Sequence, residues 1–444
     1  MYRFVAAIVS LPVKLAPEGL EQWLLHMQSV HSRGLDLSLD RVHRVRHILR
    51  LRRCPIVITI GGTNGKGSSA GMLESVLHHA GKRVGTYTSP HLINYQERIR
   101  ISGTPVGESE LLDAFLKVEN ARQGIPLTFF EFGTLTALLM FQEAGVQVAI
   151  LEVGMGGRLD AVNTENQDVA LLTPIAMDHE QWLGSDREQI GAEKAGIMKF
   201  KGRVVINDPD PPRSVLEKAR SLHCKLYQYG VDYRSRREGQ FWSWESIGSG
   251  WSCPTMEKQL PATTLVGEHQ LLNASGVLAV LNLIRTEVDV PRASLEKGFG
   301  SQFIRARLES YKIQPQVIVD VAHNLSAANC LVKFLCDRPI DGKTFAIFSM
   351  LRDKPAKKIV EILSPVIDKW HIVELQGERA LPLSSLKKVM NSVHIHTVRS
   401  WESPQEALLG TRGDARDADR IVVFGSTYLA GAILQVLDNE GSCA

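Results

Sequence analysis

At 444 residues, with 44% hydrophobic and 22% charged side chains, the chain has a globular make-up and is too long for one ordinary core, so two or three domains are expected. Its net charge of +3 gives no electrostatic ground for nucleic acid or an anionic membrane as a partner. Six scattered cysteines with no CxxC pair argue against a zinc site or a disulfide framework and suit a reducing, cytoplasmic compartment.

Residues 4–9 are apolar behind Arg3, but Pro12 and Lys14 interrupt the run, so an extended N-terminus is expected rather than an export signal. Leu20, Trp23, Leu24, Met27 and Val30 share one stripe of a helix over 18–30, and a second helix covers 39–51. The β-branched run at 56–60 then delivers the backbone into the turn GGTNGKGS at 61–68, and Met72, Val76 and Leu77 continue at helical spacing. Strand, glycine-rich turn and helix start make a phosphate cradle: glycines let N–H groups point inward, the helix N-terminus adds positive potential, and Lys66 reaches outer phosphates. Gly67 stands between Lys66 and Ser68, where the common G-x-x-x-x-G-K-[ST] loop has no residue.

Further strands are expected at 83–88, 146–154, 169–173 and 204–206, and helices at 113–121, 128–143 and 186–199. This alternation is the signature of an α/β fold with a parallel sheet. Over 223–262, Tyr227, Tyr229, Trp242, Trp244 and Trp251 alternate with polar residues, as in a small antiparallel sheet. A helix follows at 271–284, and a domain boundary is expected near 301–307. A second strand series at 317–320, 344–348, 371–374, 393–396 and 421–425 predicts a smaller Rossmann-like domain. The expected division is an N-terminal P-loop ATPase domain over 1–300 and a C-terminal α/β domain over 308–444.

Glu152 closes the apolar strand beyond the phosphate loop, where an acid can hold Mg²⁺ or stand as a strand-end carboxylate. His179 lies just past a strand end, at the sheet edge where ligands collect. Ser89 ends another strand and could offer its hydroxyl to the metal. Read singly, Lys194 is a solvated helix lysine and Arg307 a solvated linker charge, although an arginine between domains can clamp phosphate.

Together the segments 63–68, 89–92, 128–131, 151–163 (LEVGMGGRLDAVN), 178–184, 193–197 (EKAGI), 270–274, 320–324 and 425–429 resemble the folylpolyglutamate synthase family, in its bifunctional dihydrofolate synthase/folylpolyglutamate synthase branch. The TNGKG[ST] loop is the form that family shares with the muramyl-peptide ligases. The resemblance implies an ATPase domain of the muramyl-ligase type and a cytoplasmic, monomeric enzyme. That enzyme would add L-glutamate to dihydropteroate and tetrahydrofolate through an acyl phosphate, with ATP, two Mg²⁺ ions and a monovalent cation. By position, Asn64, Gly65, Lys66, Gly67 and Ser68 would wrap the phosphates, and Asn273, Arg307 and Asp320 would contact ATP from the far side, with His323 in the same cleft. Ser68, Ser89, Glu152 and His179 match the metal ligands, and Lys194 the carbamylated lysine of a second metal; Lys66, Glu152, His179 and Lys194 would carry catalysis. Leu35, Asp36, Leu37, Thr128, Phe129, Phe130, Glu131, Leu159, Asp160 and Ala161 match the pterin pocket. Three positions depart from the family pattern: Leu325 replaces a proline, Arg305–Ala306–Arg307 replaces P-G-R, and Asp353–Lys354–Pro355 replaces D-K-D. The alternatives are a monofunctional folylpolyglutamate synthase, a muramyl-type ligase, and a nucleotide-binding module. About sixty residues before the loop leave no room for a muramyl ligase's UDP-sugar domain, and the N-K-x-D base-reading motif of a switch is absent.

Overall fold

The computed structural model describes residues 17–31, 36, 38–248, 250–251, 255–263, 267–301, 304–311 and 313–441, and three β-sheets organise them. The largest contains β1 (Ile56–Gly61), β2 (Val84–Tyr87), β3 (Ile99–Ile101), β4 (Thr104–Pro105), β5 (Val148–Glu152), β6 (Val169–Leu172), β7 (Arg203–Ile206) and β8 (Lys225–Gln228), in the spatial order β4-β3-β2-β5-β1-β6-β7-β8. From β2 to β8 all pairings are parallel, and β3 and β4 add an antiparallel edge.

Every residue of β1 is buried, as a strand covered on both faces requires. Alternation sorts its side chains: Ile56, Ile58 and Ile60 join the cluster formed with the helices Lys66–His79 and Glu268–Leu283. Val57 joins the opposite cluster, built on Phe132, Leu135 and Phe141 of the helix Phe129–Glu143. Because β1 pairs with β5 on one side and β6 on the other, the connections diverge at its carboxyl end and leave a crevice there.

A small antiparallel sheet, β9 (Tyr233–Glu238), β10 (Phe241–Ser246) and β11 (Met256–Pro261), carries Trp242 and Trp244 into the core beside Phe299 and Trp251. The expectation that this sheet begins near 223 is corrected at its start. Tyr227 lies on β8, which pairs in parallel with β7, so that the large sheet gains an eighth strand. The third sheet holds β12 (Glu309–Tyr311), β13 (Gln316–Val319), β14 (Thr344–Phe348), β15 (Lys369–Val373), β16 (Val398–Trp401) and β17 (Arg420–Phe424), ordered β12-β13-β17-β14-β15-β16 and parallel except at β12. The strand expected at 393–396 is not formed. Those residues unwind from the helix Leu383–Ser392, His394 takes a left-handed φ of 61°, and pairing begins at Val398. The helix expected at 113–121 starts at Glu108, where the Glu110 carboxylate accepts from the Gly107 N–H, and the one over 186–199 runs only from Arg187 to Lys194 before a 3-10 turn, Ala195–Ile197. No helix among the described residues is long and apolar enough to cross a membrane.

Candidate functional site

The glycine turn leaves the carboxyl end of β1 and is fixed before any ligand arrives. The Thr63 N–H donates to Pro174 O at 3.0 Å, and its hydroxyl exchanges hydrogen bonds with the Ala176 backbone, tying the turn to the segment after β6. Gly65 has φ 92°, and a β-carbon there would come within 2.3 Å of Asn273 Oδ1, so the turn admits only glycine at that point. The next residue starts the helix Lys66–His79, whose free N–H groups face the crevice end. A β-carbon on Gly67 would stand 3.7 Å from Glu152 Oε2, which puts the helix start directly against the acid at the end of β5.

Around this turn the chain encloses a cavity of about 390 Å³. Its lining includes Asn64, Gly65, Lys66, Gly67, Ser68, Ser89, Glu152, His179 and Lys194 from the first half of the chain, and Asn273, Arg307, Asp320 and His323 from beyond it. The nucleotide and metal residues read from sequence therefore line one space. Glu152 is 4% exposed and accepts a 3.1 Å hydrogen bond from the Ser89 N–H; burial pushes its carboxyl up, with Lys66 pulling the other way. His179, held at φ 53°, is pushed down to about 4 by burial and is a neutral imidazole near pH 7.

Lys194 is not the solvated helix lysine that its local pattern suggests. It is 5% exposed, its ammonium donates to Gly62 O at 2.8 Å, and burial reinforced by Lys66 lowers its pKa to about 7. On the far wall Asp320 accepts from Leu308 N–H at 2.9 Å and Ala322 N–H at 2.7 Å; burial pushes it up, and Arg307 opposes the shift. Lys66 donates to Thr63 O at 3.2 Å.

Several cleft groups escape sequence reasoning because their partners are remote. Asp178 meets Lys354 Nζ at 2.5 Å and His323 Nε2 at 3.6 Å. Burial works against its ionisation, but His323 and Lys354 outweigh it and hold the carboxyl far below its ordinary range. Lys354 is the middle residue of the altered D-K-D segment, and its contact with Asp178 does not involve the proline that follows it. Asn64 and Asn324 exchange amide hydrogen bonds of 3.2 and 2.9 Å, joining the glycine turn to the segment after β13. His269, beside Arg307 in the lining, is lowered to about 4, mainly by burial.

The residues expected to take a pterin do not line this cavity. Leu35 and Leu37 lie outside the described residues. Asp36 and Glu131 both bind Arg41, at 3.2 and 2.9 Å, and Glu131 closes a capping box with Thr128 at the start of the helix Phe129–Glu143. Asp160 is buried and accepts from the N–H groups of Gly154, Met155 and Val162, and burial pushes it up to about 7. Ala161 is buried and Leu159 half-buried beside it. Phe129 and Phe130 are half-buried, and Phe130 lies against Gly154 of the cavity wall, so this group adjoins the cleft floor.

The donor set suits a hard divalent cation. Among the described residues no three His, Cys, Asp or Glu side chains converge, so a cation here would be held by one carboxylate, one imidazole and serine hydroxyls, with water and phosphate oxygens completing its shell. Glu152, buried beside the helix start, is a carboxylate whose ionised form such a cation would stabilise.

The Mur ligase middle domain model matches residues 60–281 and the Mur ligase, glutamate ligase domain model residues 306–427. The dihydrofolate synthase/folylpolyglutamate synthase of Escherichia coli (strain K12) is 35% identical over 434 residues, covering 97% of this chain and 99% of that protein. The solved structure of E. coli FolC in complex with DHPP and ADP superposes with a TM-score of 0.89 at 35% identity, covering 96% of this chain and 99% of that one. A bifunctional folylpolyglutamate synthase/dihydrofolate synthase complexed with AMPPNP and Mn ion, from Yersinia pestis, gives a TM-score of 0.86 at 36% identity, covering 95% and 99%.

Proposed function

The chain belongs to the dihydrofolate synthase/folylpolyglutamate synthase family, and from that premise we propose that it joins L-glutamate to dihydropteroate, and then to tetrahydrofolates, by ATP-dependent amide formation. One observation carries this reading: a single cleft faces a phosphate-cradling turn with Lys66 and Ser68 on one wall, and Arg307, Asp320 and His323 on the other. It is supported by relatives complexed with ADP, with AMPPNP and with a Mn ion, and a nucleotide and a divalent metal are the ligands this chain takes.

A carboxylate is a poor electrophile toward an amine. Transfer of the γ-phosphoryl group to an acceptor carboxylate oxygen forms an acyl phosphate and releases ADP. The glutamate amine then attacks the carbonyl carbon, phosphate leaves, and the amine's proton is lost. The turn's N–H groups and Lys66 hold the phosphates in line and meet the charge that develops during transfer. Ser68, Ser89, Glu152 and His179 would hold Mg²⁺, which when bound supplies Lewis-acid neutralisation of the phosphate oxygens. Asn273, Arg307 and Asp320 would clasp the nucleotide from the opposite wall, with residues 1–300 and 308–444 acting as two domains and ATP between them. At a pKa of about 7, Lys194 has a substantial neutral fraction near neutral pH, and a neutral amine adds to CO₂ as a carbamate. That carboxylate would complete a site for a second Mg²⁺. A ¹³C resonance from labelled bicarbonate, present in the wild type and absent in Lys194→Arg, is the expected signature; its absence from the wild type would remove the carbamate. A cytoplasmic monomer with a bound monovalent cation, acting on small molecules with no nucleic acid or membrane partner, completes the proposal.

The test is ADP release from ATP and glutamate with each acceptor. Both dihydropteroate and tetrahydrofolate should support it, and neither ATP alone nor ATP with glutamate should. Turnover with tetrahydrofolate alone would make the enzyme monofunctional, and acceptor-independent ADP release would overturn the ligase reading.

A further inference from the structure

Three arginines around the cleft floor have carboxylate partners, and a fourth has none among the described residues. Arg41 is bound to Glu131, Arg46 to Glu165 at 2.8 Å, and Arg100 to Glu74 at 2.8 Å. Arg98, at the end of the 3-10 turn Tyr95–Arg98, makes no ion pair with a carboxylate among the described residues. Its Nε donates to His91 Nδ1 at 2.8 Å, and its guanidinium carbon lies 5.4 Å from the ring centre of Tyr95 and 5.3 Å from that of Phe129. Accepting from an arginine requires a neutral imidazole, so His91 balances none of the Arg98 charge. Beyond His91 the guanidinium meets the neutral Tyr87 hydroxyl, and among the described residues no carboxylate pairs with it.

What surrounds it is polar and unfinished. The Tyr95 hydroxyl is buried without a hydrogen-bond partner, the Tyr87 hydroxyl faces Thr134 and Arg98, and both point at Gly133, where a β-carbon would come within 2.9 Å of Tyr87 Oη and 2.6 Å of Tyr95 Oη. A half-buried cation ringed by neutral donors and aromatic faces is costly to desolvate unless an anion completes it. The position narrows which anion. Arg98 O accepts from Thr88 N–H at 2.9 Å, the next two residues, Ser89 and Pro90, line the cleft, and Phe129 opens the helix expected to hold the acceptor. Arg98 therefore stands between the cleft and the acceptor region.

We propose that Arg98 is the anchor for the α-carboxylate of a folyl acceptor, taken bidentately by its terminal nitrogens, while the γ-carboxylate enters the cleft. The inference rests on the ligase reading above. It separates the two additions chemically. Dihydropteroate has one carboxylate, which must lie in the cleft to be phosphorylated, so it has none to give Arg98; every acceptor that already carries glutamate has one. Arg98 is thus a specificity residue for chain extension rather than for the first addition.

The test compares acceptors across Arg98→Gln, Arg98→Lys and the wild type, with dihydropteroate, tetrahydrofolate and a tetrahydrofolate whose α-carboxylate is a primary amide. Arg98→Gln should raise KM for tetrahydrofolate about 10- to 100-fold and change that for dihydropteroate less than about 2-fold. The wild type should lose as much toward the α-amide as the variant loses toward the acid. Arg98→Gln should no longer distinguish acid from amide, and Arg98→Lys should recover part of the discrimination. Equal losses toward dihydropteroate and tetrahydrofolate, or a wild type indifferent to the α-amide, would overturn the assignment. Wild-type failure with every acceptor would instead sink the ligase reading, and would be seen before any variant is compared. If Arg98→Gln does not fold, the α-amide comparison in the wild type and in Arg98→Lys still decides.

Discussion

Glu152 and Asp160 are both buried carboxylates, eight positions apart at and beyond the end of β5, and their oxygens are satisfied in different ways. Glu152 accepts one backbone N–H and opens onto the cleft. Asp160 accepts three and is not part of the cleft lining; its oxygens close the turn that follows the strand. Burial and acidity alone do not separate a ligand from a scaffold. The number of internal hydrogen bonds sets these two apart, because a carboxylate saturated by its own backbone has little left for a metal or substrate.

The widest expected gap between these regions comes from Lys66→Ala. It should lower ADP release with both acceptors by about 10²–10³-fold, the scale for removing one preorganised charge-stabilising group, while the melting temperature stays near that of the wild type. Retention of either activity at the wild-type rate would mean that the turn does not serve both additions. Next comes Glu152→Gln, which should cost about 10²-fold or more in metal-dependent turnover with no loss of stability at pH 8. The sign follows from its raised pKa: whatever stability the protonated form gives is present below the unfolded value and is lost as pH rises through the folded one.

Asp160→Asn should behave in the opposite manner. Turnover should stay within a few-fold, while stability measured by urea unfolding falls by about 1–3 kcal/mol as backbone donors lose their acceptor. With its folded pKa up at about 7, the wild-type carboxyl contributes most below its unfolded value near pH 4 and loses that contribution as pH rises through about 7. The stability gap between wild type and variant should therefore narrow from pH 5 to pH 8. A gap that widens over that range, or a large loss of turnover with stability intact, would move Asp160 into the substrate site.

The same contrast explains what could be read before folding. The phosphate wall is legible because its requirements are local: glycines at the positions where Gly65 and Gly67 meet Asn273 and Glu152, a lysine at the helix start, an acid at a strand end. Lys194 misleads in isolation because its hydrogen-bond acceptor, Gly62 O, lies 132 positions earlier. Asp178 with Lys354 and Asn64 with Asn324 are 176 and 260 positions apart, and no spacing rule connects them. Of the fold, the strand–helix alternation and the core strands are plain in the hydrophobic runs. Edge decisions are not. Residues 393–396 alternate as a strand would, yet the left-handed His394 carries them out of a helix, and β8 joins the large sheet because β7 offers it an open parallel edge.

If both walls of one cleft hold the nucleotide, ADP binding by calorimetry will register each of them. Lys66→Ala on one wall and Arg307→Met on the other should each weaken the affinity by about tenfold or more, the scale for losing a charge-assisted contact. Wild-type affinity in Arg307→Met beside a clear loss in Lys66→Ala would contradict the account and confine the nucleotide to the glycine turn.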